Sequence, residues 1–164
     1  MPKRSAGILL FRRSLAGVEV FLVHPGGPFW AHRDLASWSC PKGEYGEEEG
    51  PLTAARREFA EETGMAAEGV LLPLGTVKLA GGKLVTAWAL EGDFDPCRLR
   101  SNTFTREWPP HSGRVEEYPE ADRGAWFSLD AARRKILPGL IPLLDRLQGV
   151  LSGADEPPLK EEAK

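Results

Sequence analysis

Cysteine is nearly absent: only Cys40 and Cys97 occur in 164 residues, far apart in the chain. Two such residues cannot build the disulfide framework of a small secreted domain, and no zinc-type Cys spacing is present. Each reads as an inert, small apolar residue. Long apolar runs are also missing, and the opening MPKRSAGILLFRR holds too short a run for a signal sequence or a membrane span. An excess of positive charge is missing as well. The net charge is -3 and the pI is near 5.7, so nothing grips nucleic acid or an anionic membrane wholesale. The expectation is a reduced, cytoplasmic protein, monomer or homodimer, with no nucleic-acid or membrane partner.

What remains is globular in composition, 41% hydrophobic and 27% charged, and 164 residues suit one ordinary domain. SAGILLFRR (5–13) and VEVFLVHP (18–25) read as strands of a hairpin, followed by a long loop over 26–39 that opens with Gly-Gly-Pro. Residues 69–79 and 83–90 read as two more strands around Gly81-Gly82, and 123–129 as another. Residues 91–113, interrupted by Pro and Gly, give no clear pattern. SLDAARRKI predicts a helix capped by Ser128 or Asp130, and 138–151 a last helix with Pro138 and Pro142 near its start. The expected organisation is one domain over 1–151 and a polar, disordered tail over 152–164. Strands mixed with helices argue for an α/β or α+β domain.

The densest feature is PKGEYGEEEGPLTAARREFAEETGM, residues 41–65. Pro51 and the Thr63-Gly64 stop delimit a helix over 51–63, with Leu52, Ala55 and Phe59 as a modest apolar stripe. Glu58, Glu61 and Glu62 fall within one turn at i, i+3 and i+4, with Arg57 bordering their arc and Glu49 just before the helix. A surface helix ordinarily interleaves opposite charges. Crowded carboxylates suit either a solvated face with counterions or a hard cation such as Mg²⁺, which takes oxygen ligands and keeps waters for substrate phosphates.

The spacing decides between these. The segment reads Gly43-x5-Glu49-x7-Arg57-Glu58-Phe59-x-Glu61-Glu62-x-Gly64-Met65. It resembles the Nudix box, G-x5-E-x7-R-E-U-x-E-E-x-G-U with U bulky and apolar, at every defined position. Fixed residues of ordinary abundance would agree this well about once in 10⁸–10⁹ trials. The resemblance implies an α/β fold, the Nudix α/β/α sandwich with a mixed β-sheet and the box as loop–helix–loop, over about residues 4 to 150. It implies Mg²⁺ as cofactor, with Mn²⁺ as substitute. Glu58 and Glu62 would be the main metal ligands, Glu61 a ligand or a base, and the backbone carbonyl of Lys42 or Gly43 a further ligand. Arg57 would orient a glutamate through a bidentate ion pair, with Glu49 in that network. Gly43 and Gly64 would be turn residues, Phe59 and Met65 packing.

Members of this family also recruit a glutamate from outside the box. Glu120, six residues before Trp126, resembles the E-x5-W-[LF] ending of the family's diadenosine-polyphosphate hydrolases; Glu116 and Glu117 compete with it. The implied activity is hydrolysis of a diphosphate linkage in a nucleotide-type substrate. A dinucleoside polyphosphate is slightly preferred, and nucleoside triphosphate pyrophosphatase and non-catalytic nucleotide binding are the alternatives. The stretch W-S-C-P-K-G from Trp38 resembles the diadenosine tetraphosphate hydrolase branch, and HPGGPFWAHRD resembles bacterial predicted NTP pyrophosphohydrolases. Two substrate markers of the family are missing. The tyrosine of dinucleoside polyphosphate enzymes would fall at 81–83 and the proline of ADP-ribose enzymes near 81, where Gly81-Gly82-Lys83 stands. Lys42, Lys78, Lys83 and Arg33 are candidate phosphate contacts or ordinary surface charges. Trp30 and Trp38 either stack a base or pack, and His24 and His32 read as structural or exposed.

Overall fold

A computed structural model describes residues 2–153; residues 154–164 of the expected tail lie outside the described residues. β1 (Arg4–Ser14) and β2 (Gly17–Pro25) form the expected antiparallel hairpin, closing at Ser14 and Gly17. On its other edge β1 runs parallel to β5 (Leu84–Glu91), which pairs antiparallel with β4 (Leu71–Lys78). β2 pairs antiparallel with β8 (Ala121–Ser128). The resulting order, β4-β5-β1-β2-β8, is a mixed sheet.

Alternation along the strands sorts side chains to two faces. Ile8, Leu10, Phe21, Val23, Trp88 and Leu90 lie on one face, under Ala54, Ala55 and Phe59 of α1 (Pro51–Thr63). Leu9, Phe11, Val20, Leu22, Ala87 and Ala89 lie on the other. There they meet Ala132 of α2 (Leu129–Lys135) and Leu143, Leu144 and Leu147 of α3 (Ile141–Ser152). This is the expected α/β/α sandwich, and in it Trp88 faces α1. Ser128, not Asp130, caps α2 through its side chain. The last helix begins as a 3-10 turn at Pro138–Leu140 before α3 proper. Among the described residues, no helix is long and apolar enough to cross a membrane.

Three strands depart from the sequence expectation. β3 (Lys42–Glu44) sits where a loop was expected, and β6 (Thr103–Glu107) and β7 (Val115–Pro119) form a separate two-stranded sheet in the uninterpreted region and just after it. β3 exists because β1 and β2 pair with each other only over Phe11–Ser14 of β1 and then part. The chain at 39–44 enters the gap: Ser39 bridges Val23, Ile8 N–H donates to the Pro41 carbonyl at 3.1 Å, and Lys42, Gly43 and Glu44 pair with Gly7, Ala6 and Ser5.

Gly7 makes that insertion feasible. A Cβ there would come within 2.5 Å of the Pro41 carbonyl oxygen and 2.6 Å of Lys42 Cβ. Gly7→Ala is therefore expected to destabilise the fold by about 1–3 kcal/mol through overpacking. Gly81→Ala, at a position with open space around it, is expected to stay within about 0.5 kcal/mol of wild type. Urea unfolding of both variants checks the contrast, and equal stabilities would remove the close approach of β1 to the inserted chain.

Candidate active site

The site grows from α1. Pro51 stands at its first position and Gly64 ends it in the left-handed region, with φ 76° and its N–H donating to Ala60 O at 2.8 Å. With Ala54, Ala55 and Phe59 fixed against the sheet, the arc carrying Glu58, Glu61 and Glu62 is turned toward β3 and the loop before the helix. Arg57 holds this arc together. Its Nε and Nη2 donate to the two oxygens of Glu49 at 2.8 and 2.9 Å, and its Nη1 donates to Glu58 Oε2 at 3.0 Å and to Glu61 Oε2 at 3.5 Å. The two-point geometry with Glu49 is the one planar guanidinium and carboxylate groups favour. Those hydrogen bonds raise the Arg57 pKa further and hold the Glu49 carboxyl below its ordinary value.

The remaining acids are pushed the other way. Burial raises the Glu58 pKa against the opposing hydrogen bond from Arg57. Burial also pushes the Glu62 carboxyl up to about 8, and the charges of Glu58 and Glu120 add to it while Lys42 opposes them. Glu120 thus belongs to the same electrostatic cluster although it comes from the far end of β7. Its backbone is pinned on both sides: its N–H donates to Asn102 O at 2.8 Å and its carbonyl accepts from Gly26 N–H at 2.9 Å. Of the three acids weighed outside the box, only Glu120 lines the cavities beside the box glutamates. Glu117 accepts from Thr103 Oγ1 at 2.6 Å and Glu116 is exposed on β7.

Two hollows meet here and share Lys42, Lys83 and Glu120. One, of about 480 Å³, is lined by Glu58, Glu61, Arg57 and Gly43; the other, of about 390 Å³, by Glu62, Trp30, Cys40, Leu79 and Leu137. A smaller recess of about 160 Å³ adjoins Glu120, between Trp30, Phe29, Phe104 and Arg106. A larger hollow of about 680 Å³, lined by Arg12, Arg98, Arg100 and Trp126, borders the C-terminal end of α1 and touches none of the box glutamates.

Other candidates land elsewhere. Trp38 is a core residue, 3% exposed, packed edge-on against Phe127 and His24, so of its two readings packing holds and base stacking does not. Arg33 lines none of these hollows; its guanidinium lies over the rings of Phe29 and Trp30. Lys78 is exposed at the end of β4. His24 is fully buried between Asp122 and the Arg33 carbonyl, a structural role. Both cysteines are free; Cys40 is buried, which pushes its thiol up to about 11, and Cys97 is exposed. Sequence reasoning passed over Asn102, whose Nδ2 donates to Glu61 Oε1 at 3.4 Å, and Ser5, which lines the hollow beside Glu58.

Among the described residues, no three His, Cys, Asp or Glu side chains converge in ready coordination geometry. The physical reason is Arg57, which gathers Glu49, Glu58 and Glu61 onto itself. The donors nevertheless suit a hard cation. A Cβ at Gly43 would overlap the Glu58 carboxylate, so that carboxylate lies flush against the main chain, and carboxylate oxygens are ligands of the kind Mg²⁺ accepts.

A family model described as NUDIX domain matches residues 1–147. Comparison with curated proteins finds no match. Among solved structures, a Caenorhabditis elegans Ap4A hydrolase binary complex is similar at TM-score 0.62 and 23% identity, covering 92% of this chain and 98% of that one. The NUDIX domain of Shewanella oneidensis NrtR, complexed with ADP ribose, gives 0.60 and 17%, covering 92% and 89%. A mutT/nudix family protein from Listeria innocua gives 0.59 and 15%, covering 94% and 97%.

The shifted glutamates make a pH prediction. Between about pH 5 and 8, Glu62 stays protonated in the folded protein and is ionised in the unfolded chain. The folded state then binds more protons, so stability falls as pH rises. Glu44, Glu49, Asp34 and Asp93, all held below their ordinary values, complete their opposite contribution below this window. In EDTA, wild type is expected to lose on the order of a few kcal/mol from pH 5 to 8, and Glu62→Gln is expected to flatten the profile. Thermal melts across that range decide it; a flat wild-type profile would remove the repulsive cluster.

Proposed function

The chain belongs to the NUDIX family, and from that premise we propose that it is a cytoplasmic, Mg²⁺-dependent pyrophosphohydrolase that cleaves a diphosphate linkage in a nucleotide derivative, a dinucleoside polyphosphate by preference. The observation that carries this reading is the meeting of two opposite poles. Glu58, Glu62 and Glu120, which attract a cation, border the two hollows that share Lys42 and Lys83, which attract phosphates. The preference for two nucleosides is supported by the aromatic and apolar surroundings on both sides of Trp30, with Leu79 and Leu137 in one recess and Phe29 and Phe104 in the other. The likeness to an Ap4A hydrolase agrees with it.

Glu58 and Glu62, with a backbone carbonyl of Lys42 or Gly43, are the groups that would hold Mg²⁺ or Mn²⁺. The chemistry a divalent cation supplies when bound is charge neutralisation on the diphosphate and a more acidic water. Glu61 is engaged by Arg57 and Asn102. Glu120, whose carboxylate makes no side-chain hydrogen bond among the described residues, is the group that takes the proton from the attacking water. Arg57 keeps Glu58 and Glu49 in place and Lys42 and Lys83 hold the phosphate oxygens. The water attacks one phosphorus and the second phosphate departs with the bridging oxygen.

Incubation with Mg²⁺ and a panel of diadenosine tetraphosphate, ADP-ribose and common or oxidised nucleoside triphosphates, followed by chromatography, tests the reading. Diadenosine tetraphosphate is expected to give ATP and AMP. Pyrophosphate released from a triphosphate would move the protein to nucleotide-pool housecleaning, and no turnover at all would favour a binding role. Glu120→Gln and Glu62→Gln are each expected to lower kcat by about 10²–10⁴-fold while remaining folded. Wild-type rates in Glu62→Gln would overturn the metal assignment.

A further inference from the structure

Ser5 stands near the start of β1 at 1% exposure, and its Oγ is the buried side-chain atom that, among the described residues, has no hydrogen-bond partner. Buried hydroxyls are ordinarily paired, so an orphan demands an explanation. Ser5 lines the hollow of about 480 Å³ together with Lys42, Glu44, Glu58 and Lys83. The residue therefore borders the hollow, with its unpaired Oγ buried just beneath that lining.

Strand register fixes its company. Ser5 lies opposite Glu44 and Gly7 opposite Lys42. Residues directly opposite share a face, as do alternate residues of one strand, so Ser5, Lys42 and Glu44 project to one side. Gly43, which the Glu58 carboxylate covers, is turned to the other side. Val85 also lies opposite Ser5, which places Lys83, two residues earlier, on the Ser5 side. There Lys83 Nζ pairs with Glu44 Oε2 at 3.1 Å. The nearby carboxylate is thus taken up. Lys42 is left with no ion pair or hydrogen bond to its ammonium among the described residues. A neutral donor and a charged donor, both without acceptors and both on residues that line one hollow, are complementary to an acceptor-rich anion.

We propose that Ser5 Oγ and Lys42 Nζ, with Lys83 beside them, form an oxyanion subsite across β3 from the box glutamates, and that it takes a phosphate of the substrate next to the pair being cleaved. This rests on the hydrolase reading above and deepens it. The phosphate chain crosses the edge of β3, from the carboxylates on one face to the basic groups on the other, and Ser5 rewards substrates whose chain is long enough to reach. Ser5 is a specificity residue and takes no part in bond cleavage.

The probe is inorganic tripolyphosphate, titrated calorimetrically in EDTA into the full chain as wild type, Ser5→Ala, Lys42→Met and the double variant. Ser5→Ala is expected to melt at or above the wild-type temperature, because an unpaired hydroxyl contributes nothing to the free fold. It is expected to bind tripolyphosphate about tenfold more weakly, and the double variant to lose less than the product of the single losses. With the best nucleotide of the panel, the loss is expected in KM rather than kcat. Unchanged tripolyphosphate affinity in Ser5→Ala, or a fold that collapses without the hydroxyl, overturns the subsite. The two readings fail separately. Ser5-dependent tripolyphosphate binding without turnover of any nucleotide keeps the subsite and sinks the hydrolase; turnover with Ser5→Ala unchanged in affinity and KM does the reverse.

Discussion

β1 has to serve two partners along one edge, and the site depends on how it does so. If β1 and β2 paired along their full length, the segment 39–44 would have no place in the sheet. Because they part after Phe11, that segment inserts, and its backbone groups pair with Val23 on one side and with Ile8, Gly7, Ala6 and Ser5 on the other. Backbone polar groups must be paired when buried, so the insertion is fixed rather than loose. It puts Gly43 beneath the α1 glutamates and Lys42 on the opposite face in one stroke.

Given that placement, the electrostatics follow from burial and from a shortage of counter-charge. Glu62 is the deepest member of the cluster and carries the largest upward shift. Arg57 cannot relieve it, since its donors are spent on Glu49, Glu58 and Glu61. Lys42 acts from the far side of β3 and relieves it only in part. The fold thus tolerates a like-charge cluster at a position where apolar packing of α1 leaves no alternative direction for these side chains. Carboxylates perturbed in this way cluster at functional sites.

How much of this could be read from the sequence differs by element, for physical reasons. The helix 51–63 was legible to the residue because Pro51 and Gly64 punctuate it with backbone preferences that do not depend on the rest of the fold. The β1–β2 hairpin was legible from apolar runs around a short turn. β3 was not, because three residues of Lys-Gly-Glu have no strand signature and pair only where β1 and β2 diverge, a tertiary circumstance. β6 and β7 were hidden for a related reason: most of their residues are exposed, so no buried face imposes alternation. Glu120 is singled out by its offset from Trp126, whereas Trp38 reads as a loop aromatic because nothing local reveals that Phe127 and His24 close over it. Ser5 carried no signal at all. A single serine before an apolar strand is unremarkable until the register shows it facing Lys42.

The box itself cannot encode the substrate, and the geometry says why. On the proposed reading its carboxylates and arginine would act on a cation and a diphosphate, which every candidate substrate shares. Discrimination must come from groups that the box does not contain. Groups outside the box that line the adjoining hollows are the 26–39 loop, which supplies Phe29 and Trp30; the β6–β7 sheet, which supplies Phe104 and Arg106; and the β4–β5 turn with Leu79 and Lys83. Gly81-Gly82-Lys83 stands where the family's aromatic or proline marker would fall and supplies a glycine turn and a cation. A stacked ring would read a base, whereas Lys83 beside Lys42 reads charge. On the proposed reading, substrate preference would then rest more on the number of phosphates held than on a single base-stacking residue at that turn.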